Sequence, residues 1–214
     1  MFPTQLIEGY RAFRTERFTN EHGRYRHLSL EGQQPEVMVI GCVDSRVSPE
    51  VIFNAAPGEL LVVRNVANIV PAYEPPGGTQ HGTSAALEFG VQALGVKHIV
   101  VLGHAQCGGI RAFADKQKPL SPGDYIGRWM SQIAPAAESL CQHGQPHGDD
   151  DYLRQLELAS VELSLRNLMT FPWVRSRVER GELELHGAFF GIFDGRLSVR
   201  DPATGLFEAV KGAL

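Results

Sequence analysis

A chain of 214 residues, 43% hydrophobic and 21% charged, is long enough for one domain around a sizeable core. Its net charge of -4 leaves no basic footprint for nucleic acid, and no run approaches the roughly 18 apolar residues of a membrane span. Three cysteines, two of them placed like metal ligands, argue against a disulfide framework and for a reducing cytoplasm.

The N-terminus carries Glu8, Arg11 and Arg14 and no apolar core of signal-peptide length. Leu6, Ile7, Tyr10, Phe13 and Phe18 recur at mostly helical spacing, so residues 4–18 predict a helix in an N-terminal arm of about 30 residues. Its aromatic face suits either its own domain or a partner subunit. Residues 19–36 are polar, with a short helix expected before Gly32. The apolar run 37–40 predicts the first strand, ending at Gly41-Cys42.

Ser48-Pro49-Glu50 is a helix-start signal, and the short helix ends near Asn54. Residues 60–63 predict a second strand, leading into Arg64-Asn65-Val66-Ala67-Asn68. The Pro- and Gly-rich residues 71–82 form a loop, and 83–94 a helix closed by Gly95. A third strand over 99–102 runs into Gly103-His104-Ala105-Gln106-Cys107-Gly108-Gly109, followed by a helix to about residue 116. Helices are expected over 124–141, over 149–169 and from Phe171-Pro172-Trp173 to Gly181. A fourth strand near 183–192 and a hairpin at Asp194-Gly195 lead into a last strand over 196–200. The pattern is a single α/β domain spanning 1–214: a mainly parallel central sheet flanked by helices, with an antiparallel C-terminal edge strand.

Two segments carry the chemistry, Cys42-Val43-Asp44-Ser45-Arg46 and Gly103 to Gly109, each following a buried strand. In an open parallel sheet, ligands bind beyond the carboxyl ends of strands, where strand order reverses. Two adjacent strand ends would gather Cys42, His104 and Cys107, two thiolates and an imidazole. That is a three-ligand zinc set with one coordination position free, as in catalytic rather than structural sites. Gly108 and Gly109 keep side chains out of the way, so backbone N–H groups can approach an anion. Each residue has a plainer alternative, a buried thiol or a surface Asp-Arg turn; the strand-end placement of both motifs argues against it. Cys141 reads as an ordinary buried thiol, and its neighbours His143 and His147 lie in a loop without a fourth ligand.

The motifs Cys42-x-Asp44-Ser45-Arg46, Arg64-Asn65-Val66-Ala67-Asn68 and Gly103-His104-x-x-Cys107-Gly108-Gly109 resemble the signature segments of the β-class carbonic anhydrases, of the plant-like, open-site kind. The resemblance covers residues from about 30 to 200. It implies zinc on Cys42, His104 and Cys107 and a catalytic dyad of Asp44 and Arg46. It also implies a substrate-orienting Gln33 and an apolar pocket from Leu61, Val66 and Phe89, with Phe89 reaching in from a neighbouring subunit. Self-association as a dimer or dimer of dimers follows from the same resemblance. Some family members close the site under control of a bicarbonate site of Trp, Arg and Tyr. Here Val39 and Phe190 stand at the Trp and Tyr positions beside Arg64, which implies a site that stays open.

The chemistry suits reversible hydration of carbon dioxide. The substrate is apolar and needs a small hydrophobic pocket beside an activated water, and zinc lowers the pKa of bound water from 15.7 towards about 7. Two thiolates neutralise the ion, so a second proton acceptor helps, and Asp44 is placed to be one. Hydrolysis of carbonyl sulfide or carbon disulfide at the same zinc site is the nearest alternative. A scaffold that keeps metal without catalysis is the alternative from another class.

Overall fold

The computed structural model describes residues 1–75, 77, 81–115, 124–142 and 150–212. Six strands form one sheet: β1 (Val37–Cys42), β2 (Leu60–Asn65), β3 (His98–His104), β4 (Glu184–Phe190), β5 (Leu197–Arg200) and β6 (Phe207–Ala209). Their order across the sheet is β2-β1-β3-β4-β5-β6. The first four are parallel, and β5 and β6 are antiparallel. The α/β architecture expected from the sequence is therefore present, with two antiparallel C-terminal strands where one was expected. Because β2 and β3 flank β1 on opposite sides, the strand order reverses between β1 and β3. The crevice of an open α/β sheet opens at such a point.

The N-terminal arm is two helices, α1 (Thr4–Thr15) and α2 (Arg17–Glu31), neither with a buried residue. Tyr10, Phe13, Phe18 and Tyr25 stack between them, with ring centroids 5.2 to 6.5 Å apart. The second helix is longer than its polar sequence suggested. It is tied to the domain by Arg24 donating to the Pro57 carbonyl and by Leu28 against Gly58. Phe2 ahead of the first helix, and Leu6 and Tyr10 on it, remain exposed.

Between β1 and β2 lies α3 (Pro49–Ile52), with Ser48 in the N-cap position and its hydroxyl bonded to Glu50 instead of the backbone. The helix after the Pro-rich loop, α4 (Gly82–Glu88), passes into a π turn over Phe89–Ala93, where the Leu94 N–H reaches back to the Phe89 carbonyl. After β3 comes α5 (Gly108–Ala114). The helix expected over 124–141 is broken into α6 (Asp124–Met130), a 3-10 turn (Ser131–Ile133) and α7 (Ala134–Gln142). Residues 143–149 and the side chain of Cys141 lie outside the described residues, and with them the Cys141, His143 and His147 grouping.

The longest helix, α8 (Asp150–Leu168), packs on β3 and β4, and α9 (Pro172–Glu179) precedes β4. Helix α8 buries Leu153, Leu156, Ser160, Val161 and Ser164 on one stripe, and Glu157 falls on that same stripe. A Cβ at Gly103 would stand 2.7 Å from a Val161 methyl, so glycine there lets this helix lie close against β3. No helix among the described residues is long and apolar enough to cross a membrane.

Candidate metal centre

Cys42 ends β1, His104 ends β3, and Cys107 stands in the N-cap position of α5. The reversal between β1 and β3 brings their ligand atoms within 4.8 Å of one another, all three residues being buried. The turn from His104 to Cys107 is tight because Gln106 takes a left-handed conformation, φ 57°. A non-glycine residue there carries strain of order 1 kcal/mol. Two contacts hold it: the Cys107 N–H donates to Glu157 Oε1 at 2.9 Å, and Arg46 Nη2 donates to the Gln106 carbonyl at 3.4 Å.

The donor set fits a metal. His104 Nδ1 lies 2.9 Å from the Ala105 carbonyl, which makes Nδ1 the protonated nitrogen and leaves the Nε2 lone pair free. Nε2 is buried and has no hydrogen-bond partner among the described residues. An orphaned buried nitrogen costs stability unless something binds it. The two sulfurs beside it act on each other: Cys107 as donor pulls the Cys42 thiol below the usual thiol range, and Cys42 together with burial pushes the Cys107 thiol above it. The Ala67 N–H points at the Cys42 sulfur from 3.4 Å. Ala67 is fully buried in a left-handed conformation, φ 62°, so this donor is also placed at the expense of backbone strain.

Asp44 and Arg46 form a two-point ion pair, Nε to Oδ1 at 2.9 Å and Nη2 to Oδ2 at 2.7 Å, and the Arg46 N–H adds a third bond to Oδ1 at 3.0 Å. The side-chain bonds from Arg46 hold the Asp44 carboxyl well below the ordinary carboxylate range. Arg64 is a positioning residue. Its Nε donates to the Cys42 carbonyl at 2.7 Å and its Nη2 to the Asp44 carbonyl at 2.6 Å, fixing the backbone on both sides of Val43.

The expected pocket residues divide into two groups. Val66 packs on the apolar cluster that includes Cys42 and Cys107, and its carbonyl accepts the Trp129 indole N–H at 2.7 Å. Gly108 follows Cys107 with open space around its Cα. Leu61 instead pairs with Met38, four residues below the level of Cys42, and packs on Gly90. At about 3.3 Å per residue that is roughly 13 Å from the thiols. Gln33 precedes β1 and is exposed, at the end of the strand away from Cys42. Phe89 is 47% exposed at the start of the π turn. A single chain thus does not bring Gln33, Leu61 and Phe89 to its own ligands. His81 lines a cleft of about 510 Å³ with Arg64, Val66 and Trp129, and its imidazole lies 3.6 Å from Glu74.

Glu157 escaped the sequence reading. Its signal was a carboxylate on the apolar stripe of a helix, where an unpaired charge is costly. Burial raises its pKa against the bond from the Cys107 N–H.

A sheet with a Cys-His-Cys group at its reversal point and an Asp-Arg pair beside it defines a β-class carbonic anhydrase type of protein. The carbonic anhydrase family profile matches residues 37–197, and the chain belongs to that family, in its β class. It is 36% identical over 189 residues to the chloroplastic β carbonic anhydrase 5 of Arabidopsis thaliana, a match covering 88% of this chain and 62% of that one. The chain thus spans less than two thirds of that relative's length. The solved β-carbonic anhydrase CcaA superposes with a TM-score of 0.87 at 30% identity, over 98% of this chain and 92% of that one. A tetrameric β-carbonic anhydrase of Sordaria macrospora does so at 0.78 and 28%, over 96% and 98%.

Proposed function

We propose that this chain is a zinc-dependent carbonate dehydratase, a lyase that interconverts carbon dioxide with bicarbonate and a proton. The observation that carries the reading is the orphaned His104 Nε2 facing two sulfurs beside a carboxylate fixed by Arg46.

Cys42, His104 and Cys107 would hold the ion. When bound, zinc supplies a Lewis acid that brings the pKa of a coordinated water from 15.7 down to about 7. Cys42 and Cys107 bring two negative charges to a buried site and so favour a dication over a monovalent one. Asp44 is the proton acceptor. Its Oδ1 takes two bonds from Arg46 and its Oδ2 one, so Oδ2 keeps the greater capacity for a water proton. Arg46 orients that carboxylate. Val66 offers an apolar wall to a substrate with no dipole, and Gly108 leaves room over the ligand loop where bicarbonate can meet backbone N–H groups.

The site stays open in this reading. Asp44 is engaged by Arg46, and Arg64 is spent on the Cys42 and Asp44 carbonyls. Val39 and Phe190 belong to one apolar cluster with Leu102 and Ala188.

A second copy of this chain completes the pocket. Gln33, Leu61 and Phe89 lie away from their own ligands, and the arm leaves Phe2, Leu6 and Tyr10 exposed. We read residues 1–30 as an assembly arm on a single domain and the active form as a dimer or dimer of dimers; the similar Sordaria macrospora protein is a tetramer. The cytoplasm is the proposed location, because thiol ligands need a reducing compartment.

The testing experiment assays carbon dioxide hydration by stopped flow and carbonyl sulfide or carbon disulfide hydrolysis side by side, on protein of known zinc content. Fast hydration with little turnover of the sulfur compounds supports the proposal. The reverse pattern assigns the site to the sulfur substrates, and zinc without either activity makes it a scaffold.

A further inference from the structure

A second group of metal-type donors lies at the other end of the sheet. His98 opens β3 and pairs in register with Glu184, the first residue of β4. In-register neighbours on parallel strands project to the same face, as do residues two apart on one strand. His98, Glu184 and His186 therefore share one face. Their donor atoms converge: His98 Nδ1 lies 3.2 Å from His186 Nε2, and Glu184 Oε2 lies 3.7 Å from the first and 3.6 Å from the second.

A tetrahedral ion with nitrogen and oxygen ligands at 2.0–2.2 Å sets its donors about 3.3–3.6 Å apart. The three observed separations bracket that edge. A hydrogen bond between the imidazoles accounts for the 3.2 Å contact, but not for both nitrogens turning towards one carboxylate oxygen. The surrounding charges do not compete for that oxygen. Lys97 pairs with Glu36, Arg180 is bonded to Glu182, and Arg177 donates to the Val91 and Glu182 carbonyls. Among the described residues, Glu184 forms ion pairs with the two histidines alone. A cleft of about 500 Å³, lined by His98, Glu184, Gly95 and Leu183 among others, gives access and room for water on the remaining coordination positions.

We propose that His98, Glu184 and His186 form a second binding site for a divalent ion of the zinc type, which clips the start of β3 to the start of β4. Two imidazoles and one carboxylate select a borderline transition ion over magnesium or calcium, which prefer all-oxygen sites. Six residue steps along β3 take the chain from His98 to His104, about 20 Å. An ion at this end does not touch the ligands Cys42, His104 and Cys107, and the site does not depend on the proposed activity.

The test uses the untagged 214-residue chain already holding one zinc per chain, titrated with Zn2+ in equilibrium dialysis with metal analysis. Wild type should take up a second equivalent and gain about 5–10 °C in Tm at a hundredfold excess over Kd. Glu184→Gln, which keeps size and removes charge, should weaken that uptake at least tenfold, and His98→Asn with His186→Asn should abolish it. All variants should keep the first equivalent. Cobalt in place of zinc separates the sites, because thiolate-to-metal charge-transfer absorption belongs only to the cysteine site. A wild type that stays at one ion per chain at millimolar free zinc overturns the proposal. So does a second equivalent that survives the double histidine substitution.

Discussion

Arg46 grips Asp44 through both oxygens while its Nη2 also reaches the Gln106 carbonyl, so one guanidinium links the proposed proton acceptor to the turn between His104 and Cys107. An ordinary aspartate, with a pKa near 3.9, is already ionised at neutral pH, so the work of Arg46 there is orientation. Arg46→Ala should lower kcat/KM about 10²- to 10³-fold, within the usual range for a misplaced acid–base group. Metal content and the pH profile between about 6.5 and 9 should stay as in wild type, because Asp44 titrates below that window in either case. Arg46→Lys should recover little, since an ammonium cannot reproduce the two-point grip. Stopped-flow profiles with metal analysis check this, and a new acidic limb in the Arg46→Ala profile would contradict it.

Glu157 reaches the centre from the opposite side. Replacing it by leucine strands the Cys107 N–H in a buried setting, which costs about 1–3 kcal/mol. The ligand loop should then release zinc 10- to 100-fold more readily, as when other outer partners of metal ligands are removed. Glu157→Gln keeps an acceptor oxygen for that N–H and should hold zinc nearly as well as wild type. Competition with a chromophoric chelator reads both. Equal zinc retention in the leucine and wild-type proteins would sink the role assigned to Glu157.

Much of this was legible in the sequence, for identifiable reasons. The strands ending at Cys42 and His104 are apolar runs bounded by glycines, and the motifs that follow are local, so their positions could be read directly. The strand β6 could not: Phe207–Ala209 is three residues long, and its pairing depends on a turn in which Asp201 accepts the Ala203 and Thr204 N–H groups. Helix α2 has a weak apolar stripe, and Phe13 of α1 stacks on its Phe18 and Tyr25, a contact that the local sequence of α2 does not announce. The division of the pocket was hidden for another reason. Leu61 and Val66 are five residues apart in the chain, yet only the strand register puts one in the core and the other at the ligands.

The two glycines after Cys107 should respond differently to a methyl group. A Cβ at Gly109 would lie 2.9 Å from Val66 and 3.2 Å from Met130, whereas Gly108 has nothing within 4 Å. Gly109→Ala should cost about 1–3 kcal/mol through overpacking, lowering Tm by roughly 2–10 °C. Gly108→Ala should leave Tm within about 2 °C of wild type, while narrowing the space over the ligand loop. Calorimetry of the two variants decides it. Equal Tm losses would mean that the crowding at Gly109 relaxes freely.

Deleting residues 1–15 removes α1, whose packing is against α2. The domain should still fold, with its circular dichroism reduced only by the lost helix, but light scattering should find smaller assemblies. Hydration should fall at least tenfold if a neighbouring copy completes the pocket. An unchanged assembly with unchanged activity would remove the arm from both roles.

The central claim is tested most directly by the hydration rate as a function of metal at the cysteine site. Zinc is withdrawn stepwise with chelator and restored, and occupancy is followed together with stopped-flow carbon dioxide hydration. The account predicts a rate proportional to occupancy, zero without metal and recovered on reloading, with Cys107→Ser neither binding zinc there nor turning over. Hydration that persists at zero occupancy, or full occupancy with no hydration, would contradict it.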